Sequence, residues 1–255
     1  MLDDRPGSQA AVSVARPGPL RVYVHVRASA DAADLTGLRV LLTADLLVRA
    51  AELGGLQVLA MWTVDGEPEP KAAVERTAAA LGIHPPALPA AELAEAWPGG
   101  PADVHVADDD AVGKGDRSGI LVRAAAARLA PDACPGGATA SAPGRHDPLA
   151  VRLALMSLPR HQSAELTADE LGGAAQTVGE WRRRVARWAE FPSGAIPEPV
   201  AATLRAAFGN LDVSTVLALL SDLVADETVQ PGPRFETFVY ADRVLGLDLP
   251  RDIGR

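Results

Sequence analysis

Apolar residues recur at two different periods along the chain. Alternation over residues 20–26 predicts a first strand, a broad apolar surface over residues 38–53 predicts a helix, and residues 56–62 predict a second strand. Gly54 and Gly55 follow the predicted helix and indicate its end. A strand, a helix and a strand within about forty residues form a βαβ unit, which predicts a parallel sheet.

The second half of the chain has helical periods throughout. Residues 147–158 are apolar on nearly every side. Thr167 with Glu170 forms a capping box that starts a new helix, and one long helix is predicted over residues 165–189. Three more helices are predicted. The first begins at Pro197 or Pro199 and runs to Phe208, and the others cover residues 210–224 and 235–245. We therefore expect an α/β fold in which a Rossmann-like parallel sheet domain is followed by an all-α helical bundle.

Turn-forming residues set the predicted boundaries. Residues 1–19 are predicted to be a flexible tail, residues 20–130 the Rossmann-like domain, residues 131–146 a linker rich in Pro, Gly, Ala and Ser, and residues 147–255 the helical bundle. Inside the first domain the pattern predicts a turn at residues 67–70, a helix at 71–81, a short helix at 90–96, a strand at 104–106 and a further helix at 120–129.

Composition narrows the class of protein. A formal net charge of −9 opposes a large phosphate-binding surface, because nucleic-acid affinity comes mainly from clustered Lys and Arg. Of the 24 basic residues only Lys71 and Lys114 are lysines, a bias typical of GC-rich genomes such as those of actinobacteria. No apolar run approaches the roughly 20 residues that cross a bilayer, and the N-terminus lacks a secretory apolar core. We expect a cytoplasmic protein with no membrane partner.

One central segment carries a longer motif. It contains Asp147-Pro148, then Val151-Arg152-Leu153-Ala154-Leu155-Met156-Ser157, then His161-Gln162-Ser163 and an acidic helix start. This segment resembles the one after the KMSKS loop of cysteinyl-tRNA synthetases and of the related mycothiol cysteine ligases, which are class I aminoacyl-tRNA synthetase-like enzymes. The resemblance implies a HUP-type Rossmann fold and two ATP-handling signatures, HIGH and KMSKS.

Neither signature is intact. The resemblance places the HIGH positions at Asp34, Leu35, Thr36 and Gly37, shortly before Arg39, so both histidines are absent. A carboxylate then stands where an imidazole would contact the ATP phosphates, and its charge would repel them. KMSKS would fall near residues 127–131, where there is no lysine. ATP remains a candidate cofactor by resemblance alone.

The resemblance also implies a ligand cleft and a zinc position. The position of the zinc-binding cysteine falls on His25, for which the sequence offers no evident companion ligands, so we do not expect zinc. A histidine on a strand is more often a hydrogen-bonded core residue than a ligand. The remnant ligand cleft would comprise Tyr23, His25, Thr36, Trp62 and Asp65.

Three other patterns have a functional and a plain structural interpretation. Asp103 and His105 with Asp108, Asp109 and Asp110 suggest a divalent-cation site, but a short acidic run is usually a solvated loop. Residues 113–116 around Lys114 lack the spacing of a phosphate loop, which favours a surface turn. Trp181 and Trp188 are expected to face the core, with a solvated basic side formed by Arg182, Arg183, Arg184 and Arg187, rather than to present a tRNA-binding surface.

These observations lead to a functional hypothesis with two alternatives. We expect a catalytically degenerate cysteinyl-tRNA synthetase-like pseudoenzyme that binds a small molecule in a remnant cleft, or a protein partner such as a second copy of itself. One alternative is an active ATP-dependent amino-acid-activating ligase, with Asp34, Thr36, Arg39 and His25 lining a rewritten site. The other is a tRNA-binding accessory factor, which the net charge disfavours.

Overall fold

The computed structural model describes residues 18–84, 101–109, 119–134 and 146–255. The short helix predicted at 90–96, the Lys114 loop and most of the predicted tail and linker lie outside these residues. Thirteen helices and strands position the functional features, in the order β1 (Leu20–Arg27), α1 (Thr36–Leu53), β2 (Val58–Asp65), α2 (Pro68–Ala80), β3 (Val104–Ala107), β4 (Ile120–Arg123), β5 (Ala127–Leu129), α3 (Pro148–Ser157), β6 (Ala164–Leu166), α4 (Ala168–Trp188), α5 (Glu198–Gly209), α6 (Val213–Ala225) and α7 (Pro231–Leu245).

The predicted α/β fold is confirmed. A four-stranded parallel sheet has the order β2-β1-β3-β4, with α1 packed against β1, and α3 to α7 follow it in the chain. Val22, Val24 and Val26 alternate along β1 and are buried. Because β1 pairs with β2 on one side and β3 on the other, the winding of the sheet reverses there.

The helix predicted at residues 120–129 is wrong, because this segment forms β4 and β5. Four consecutive alanines at 124–127 favour a helix locally, but their backbone groups find partners in distant segments. Ala124 N–H donates to the carbonyl of Ala107, and Ala125 N–H donates to that of Arg160. Strand pairing with β3 and β6 therefore overrides the local preference of the alanines.

Several predicted helix starts also move, and α7 begins at Pro231 rather than at residue 235. The helix α2 begins at Pro68 rather than at residue 71, because proline fits the first turn, where its missing N–H is not needed. The long helix begins at Ala168 rather than at residue 165, and residues before it form β6, which the sequence pattern missed. The capping box is confirmed, since Thr167 caps the helix and Glu170 bonds back to the N–H of Thr167.

The predicted tryptophan pair is buried, as expected. Trp181 and Trp188 meet Phe238 of α7 edge-on, with ring centroids 5.5 and 5.2 Å apart. Arg182 departs from the predicted solvated basic side, because it is buried and donates to the carbonyls of Leu247 and Asp248 after α7. The solvated basic side of α4 is correspondingly smaller than predicted.

One buried ion pair joins the sheet part of the chain to the helical part. Arg152 on α3 is fully buried and its Nη2 lies 2.5 Å from Oδ2 of Asp45 on α1. The same guanidinium donates to the carbonyls of Leu245 (2.6 Å) and Leu81 (3.1 Å), at the ends of α7 and α2. Burial lowers the pKa of Arg152, and the Asp45 carboxylate opposes that shift.

The backbone at the end of α7 is shaped to this arginine. Gly246 ends the helix with a φ of +63°, a conformation that glycine adopts without a steric penalty. A Cβ at this position would lie 2.9 Å from Nη2 of Arg152. The buried apolar residues of both parts form one continuous cluster, and β5 pairs with β6 across the predicted linker.

We expect Arg152→Met to lower the free energy of unfolding by roughly 2–4 kcal/mol, because two carbonyls lose their donor and the buried Asp45 carboxylate keeps only its pair with the less buried Arg49. Equilibrium unfolding in urea would measure the change. Arg184→Met is the matched control, since it removes an exposed pair with Glu180 and should cost less than about 0.5 kcal/mol. Equal losses for the two variants would contradict a central role for Arg152.

Candidate functional site

Residues 34–36, part of the predicted HIGH position, are hydrogen-bonded to the protein's own backbone. Oδ1 of Asp34 accepts a 2.8 Å hydrogen bond from the N–H of Thr36, the first residue of α1. Thr36 Oγ1 accepts from Ala127 N–H (3.2 Å) and donates to the Ala127 carbonyl (3.3 Å), and Leu35 N–H also donates to that carbonyl. Residues 34–36 therefore fasten the start of α1 to β5.

Gly37 has no room for a side chain. A Cβ at this position would lie 2.9 Å from the carbonyl oxygen of Arg27 and 3.2 Å from Cγ1 of Val26. Contacts this short are forbidden unless the backbone moves. The space that a histidine at residue 37 would need is thus occupied by the end of β1, against which the first turn of α1 packs directly.

Arg39 is used as a buried link between segments. It is 2% exposed, and its Nη1 and Nη2 donate to five backbone carbonyls, those of Ala125, Ala126, Leu158, Pro159 and Gln162. Among the described residues no carboxylate pairs with Arg39, and its Nε has no acceptor. Burial lowers the pKa of this guanidinium.

Tyr23 and His25 lie on the face of β1 opposite its buried valines. Nε2 of His25 is 3.0 Å from Nδ1 of His105, which stands on the same face of β3, and the two rings stack at 5.3 Å. Tyr23 lies against His25, with ring centroids 4.5 Å apart. His25 is therefore a hydrogen-bonded histidine, and its partner is one that the sequence pattern had not paired with it.

The other residues of the predicted cleft lie elsewhere. Trp62 is in register with Val24, so its side chain is on the buried face of the sheet, opposite to Tyr23 and His25. Asp65 is exposed at the end of β2, and Thr36 is bonded to Ala127. The five predicted cleft residues therefore do not line one cavity.

The acidic residues predicted to form a divalent-cation site are bound to different arginines. Asp103 accepts from the backbone N–H (3.0 Å) and the guanidinium (3.2 Å) of Arg21, and Asp109 lies 3.9 Å from Arg123. Asp110 lies outside the described residues. Within the described parts of the chain, no three His, Cys, Asp or Glu side chains come together as a metal site.

A cavity of about 190 Å³ opens beside Arg39. Its walls come from α1, from the end of α3 with the turn that follows it, and from the turn between α5 and α6. The lining residues are Arg39, Leu42, Thr43, Leu46, Leu155, Met156, Leu158, Pro159, Arg160, His161, Asn210, Leu211, Asp212, Val213 and Ser214.

The turn at this cavity has an unusual backbone. Leu211 has a φ of +53°, a left-handed conformation that costs a residue with a Cβ roughly 1–2 kcal/mol. Asp212 follows and caps α6, because its Oδ1 accepts from Thr215 N–H and its Oδ2 accepts from Thr215 Oγ1. The first turn of α6 is thereby set at the mouth of the cavity.

Sequence reasoning missed this cavity but had part of the signal for the histidine pair. The alternation of β1 and of β3 places His25 and His105 opposite the buried valines, and only the pairing of the two strands was needed to bring them together. The cavity joins residues near positions 39, 160 and 212, which no local pattern relates.

No protein-family model matches the chain, and no curated protein sequence matches it either. The relation to the cysteine-activating enzymes therefore stays a prediction that rests on the motif around Asp147. No helix in the described segments is long and apolar enough to cross a bilayer.

We expect Thr36→Val to lower the free energy of unfolding by about 1–3 kcal/mol, because it removes both side-chain hydrogen bonds to Ala127 without changing the side-chain volume. Thr203→Val is the control, since that exposed hydroxyl bonds only to the carbonyl of Pro199 within its own helix. Thermal or urea unfolding would measure both variants. Equal stability of the two would mean that residues 34–36 do not fasten α1 to β5.

Proposed function

We propose that this chain is a catalytically degenerate relative of the cysteine-activating class I synthetases, and that it binds a small molecule without activating an amino acid. The observation that carries the proposal is the state of the HIGH-equivalent segment. The N–H groups at the N-terminus of a helix commonly bind phosphate. In this chain the N–H of Thr36 at the start of α1 already donates to the Asp34 carboxylate. Gly37 leaves no space for a histidine.

The region equivalent to KMSKS gives a second argument. Residues 127–131 form β5 and the start of the turn after it, and they contain no lysine. Their backbone is committed to β6 and to the segment before α1, since Leu129 N–H donates to the Ala33 carbonyl. A phosphate-binding loop has to move over ATP during the reaction, and a paired strand is poorly suited to that motion.

The alternative function, a tRNA-binding accessory factor, has little support from the basic residues of α4. Arg182 is turned into the protein toward the carbonyls of Leu247 and Asp248, and Arg184 pairs with Glu180. Arg183 donates to the carbonyl of Gly179, so three of the four basic residues on α4 already have partners within the protein. With a net charge of −9, the chain lacks the excess of cations that drives binding to phosphate backbones.

The decisive assay is amino-acid-dependent ATP–pyrophosphate exchange with each of the twenty amino acids, with a calorimetric titration of ATP on the same sample. We expect no exchange and no heat of ATP binding, because both phosphate-handling signatures are absent. An authentic cysteinyl-tRNA synthetase in the same assay is the positive control.

Exchange with any amino acid would contradict the proposal and favour the active ligase. Asp34→Ala would then identify the site, since the ligase alternative requires this carboxylate for activity. Asp31→Ala is a suitable control, because Asp31 is an exposed neighbour whose side chain bonds only the N–H of Ala33.

A further inference from the structure

We propose that the cavity beside Arg39 binds the carboxylate of a small organic acid that has a compact apolar body. This inference rests on the proposed binding function and adds the place and the chemical class of the ligand. The cavity lies between α1, the turn after α3 and the start of α6. Among the residues that line it, Arg39 is the only one that the sequence analysis predicted as a site residue.

The charge of Arg39 is the first argument. A guanidinium that is 2% exposed has lost almost all contact with water, and the five groups that it meets are neutral carbonyls. Its Nε has no acceptor among the described residues. A buried cation is normally balanced by an anion, so an anion in the adjoining cavity would lower the cost of burying this charge.

The start of α6 is the second argument. Val213 and Ser214 are the first two residues of this 13-residue helix, and both line the cavity. Backbone N–H groups in a first helical turn have no partner within the helix, and the helix dipole favours an anion there. Arg160 and His161 also line the cavity and add basic groups.

The carboxylate of Asp212 would repel an anion in the cavity, but its surroundings weaken this repulsion. Asp212 is the only acidic residue among those that line the described cavity. Both of its oxygens already accept hydrogen bonds from Thr215, as the cap of α6. These bonds and its exposure to solvent reduce the repulsion that Asp212 would exert on a ligand.

The walls define the rest of the ligand. Leu42, Leu46, Leu155, Met156 and Leu158 provide an apolar surface, and the cavity volume of about 190 Å³ admits only a small molecule. An acid with a short branched aliphatic body would place its carboxylate toward Arg39 and α6 and its alkyl group against these side chains. Isocaproate has this shape, and isocaproamide is its neutral counterpart.

Titration of the full chain with isocaproate and isocaproamide, followed by protein NMR shifts, tests the class of ligand. We expect saturable binding of the acid in the millimolar range or tighter, and binding of the amide at least about tenfold weaker, because only the acid carries the negative charge that the buried guanidinium and the start of α6 attract. Equal affinity for the two compounds, or no saturable binding of the acid, would overturn the proposal.

Substitution at Ser214 tests the location without disturbing Arg39. Ser214 is exposed at the second position of α6, where a glutamate favours the helix but repels an anion in the cavity. We expect Ser214→Glu to weaken isocaproate binding about tenfold or more. Ala218→Glu adds the same charge at an exposed position of α6 outside the cavity lining and should leave binding within about threefold. Equal binding by the two variants would place the acid elsewhere and overturn the assignment of this cavity.

The two proposals fail in different ways. Turnover of ATP in the exchange assay would contradict the non-catalytic function, whatever the cavity binds. Failure of the acid titration would remove the cavity as an acid site and leave the exchange result unaffected.

Discussion

The buried contact between Asp45 and Arg152 is the constraint on which the arrangement of the helices depends. Arg152 is fully buried, so each of its donors needs an acceptor inside the protein. It finds a carboxylate on α1 and carbonyls at the C-terminal ends of α2 and α7. Helix C-termini carry partial negative charge, which attracts a cation. The guanidinium of Arg152 therefore holds α1, α2 and α7 against α3, the helix that carries it.

The same device recurs at two other arginines. Arg39 connects α1 to carbonyls of residues 125–126 and 158–162, and Arg182 connects α4 to the carbonyls after α7. The planar fork of arginine presents several donors in fixed directions, which a lysine ammonium does not. The preference for arginine over lysine therefore matters inside the protein as well as on its surface, because this fold uses buried arginines to join its segments.

The sequence predicted the fold well where the pattern is local and failed where partners are distant. Strand alternation and the helical period located β1, α1 and α3, and the capping box located the start of α4. The alanine run at 124–127 misled because its partners lie in β3 and near Arg160. The resemblance proposed residues 34–37 and Arg39 as site residues, but the hydrogen bonds of Leu35, Thr36 and Arg39 join distant segments of the chain, which no sequence pattern indicates. The cavity beside Arg39 combines three segments more than 40 residues apart in sequence and was not predictable.

The central claim is that buried arginines join the sheet and the helices into one cooperative structure. Native-state hydrogen exchange measures this directly, because it gives a free energy of opening for each amide. We predict that the slowest amides of β1, α1, α4 and α7 open with the same free energy, equal to that of global unfolding. A helical part that stays protected while β1 and α1 exchange at a lower free energy would contradict the claim and indicate two separate folding units.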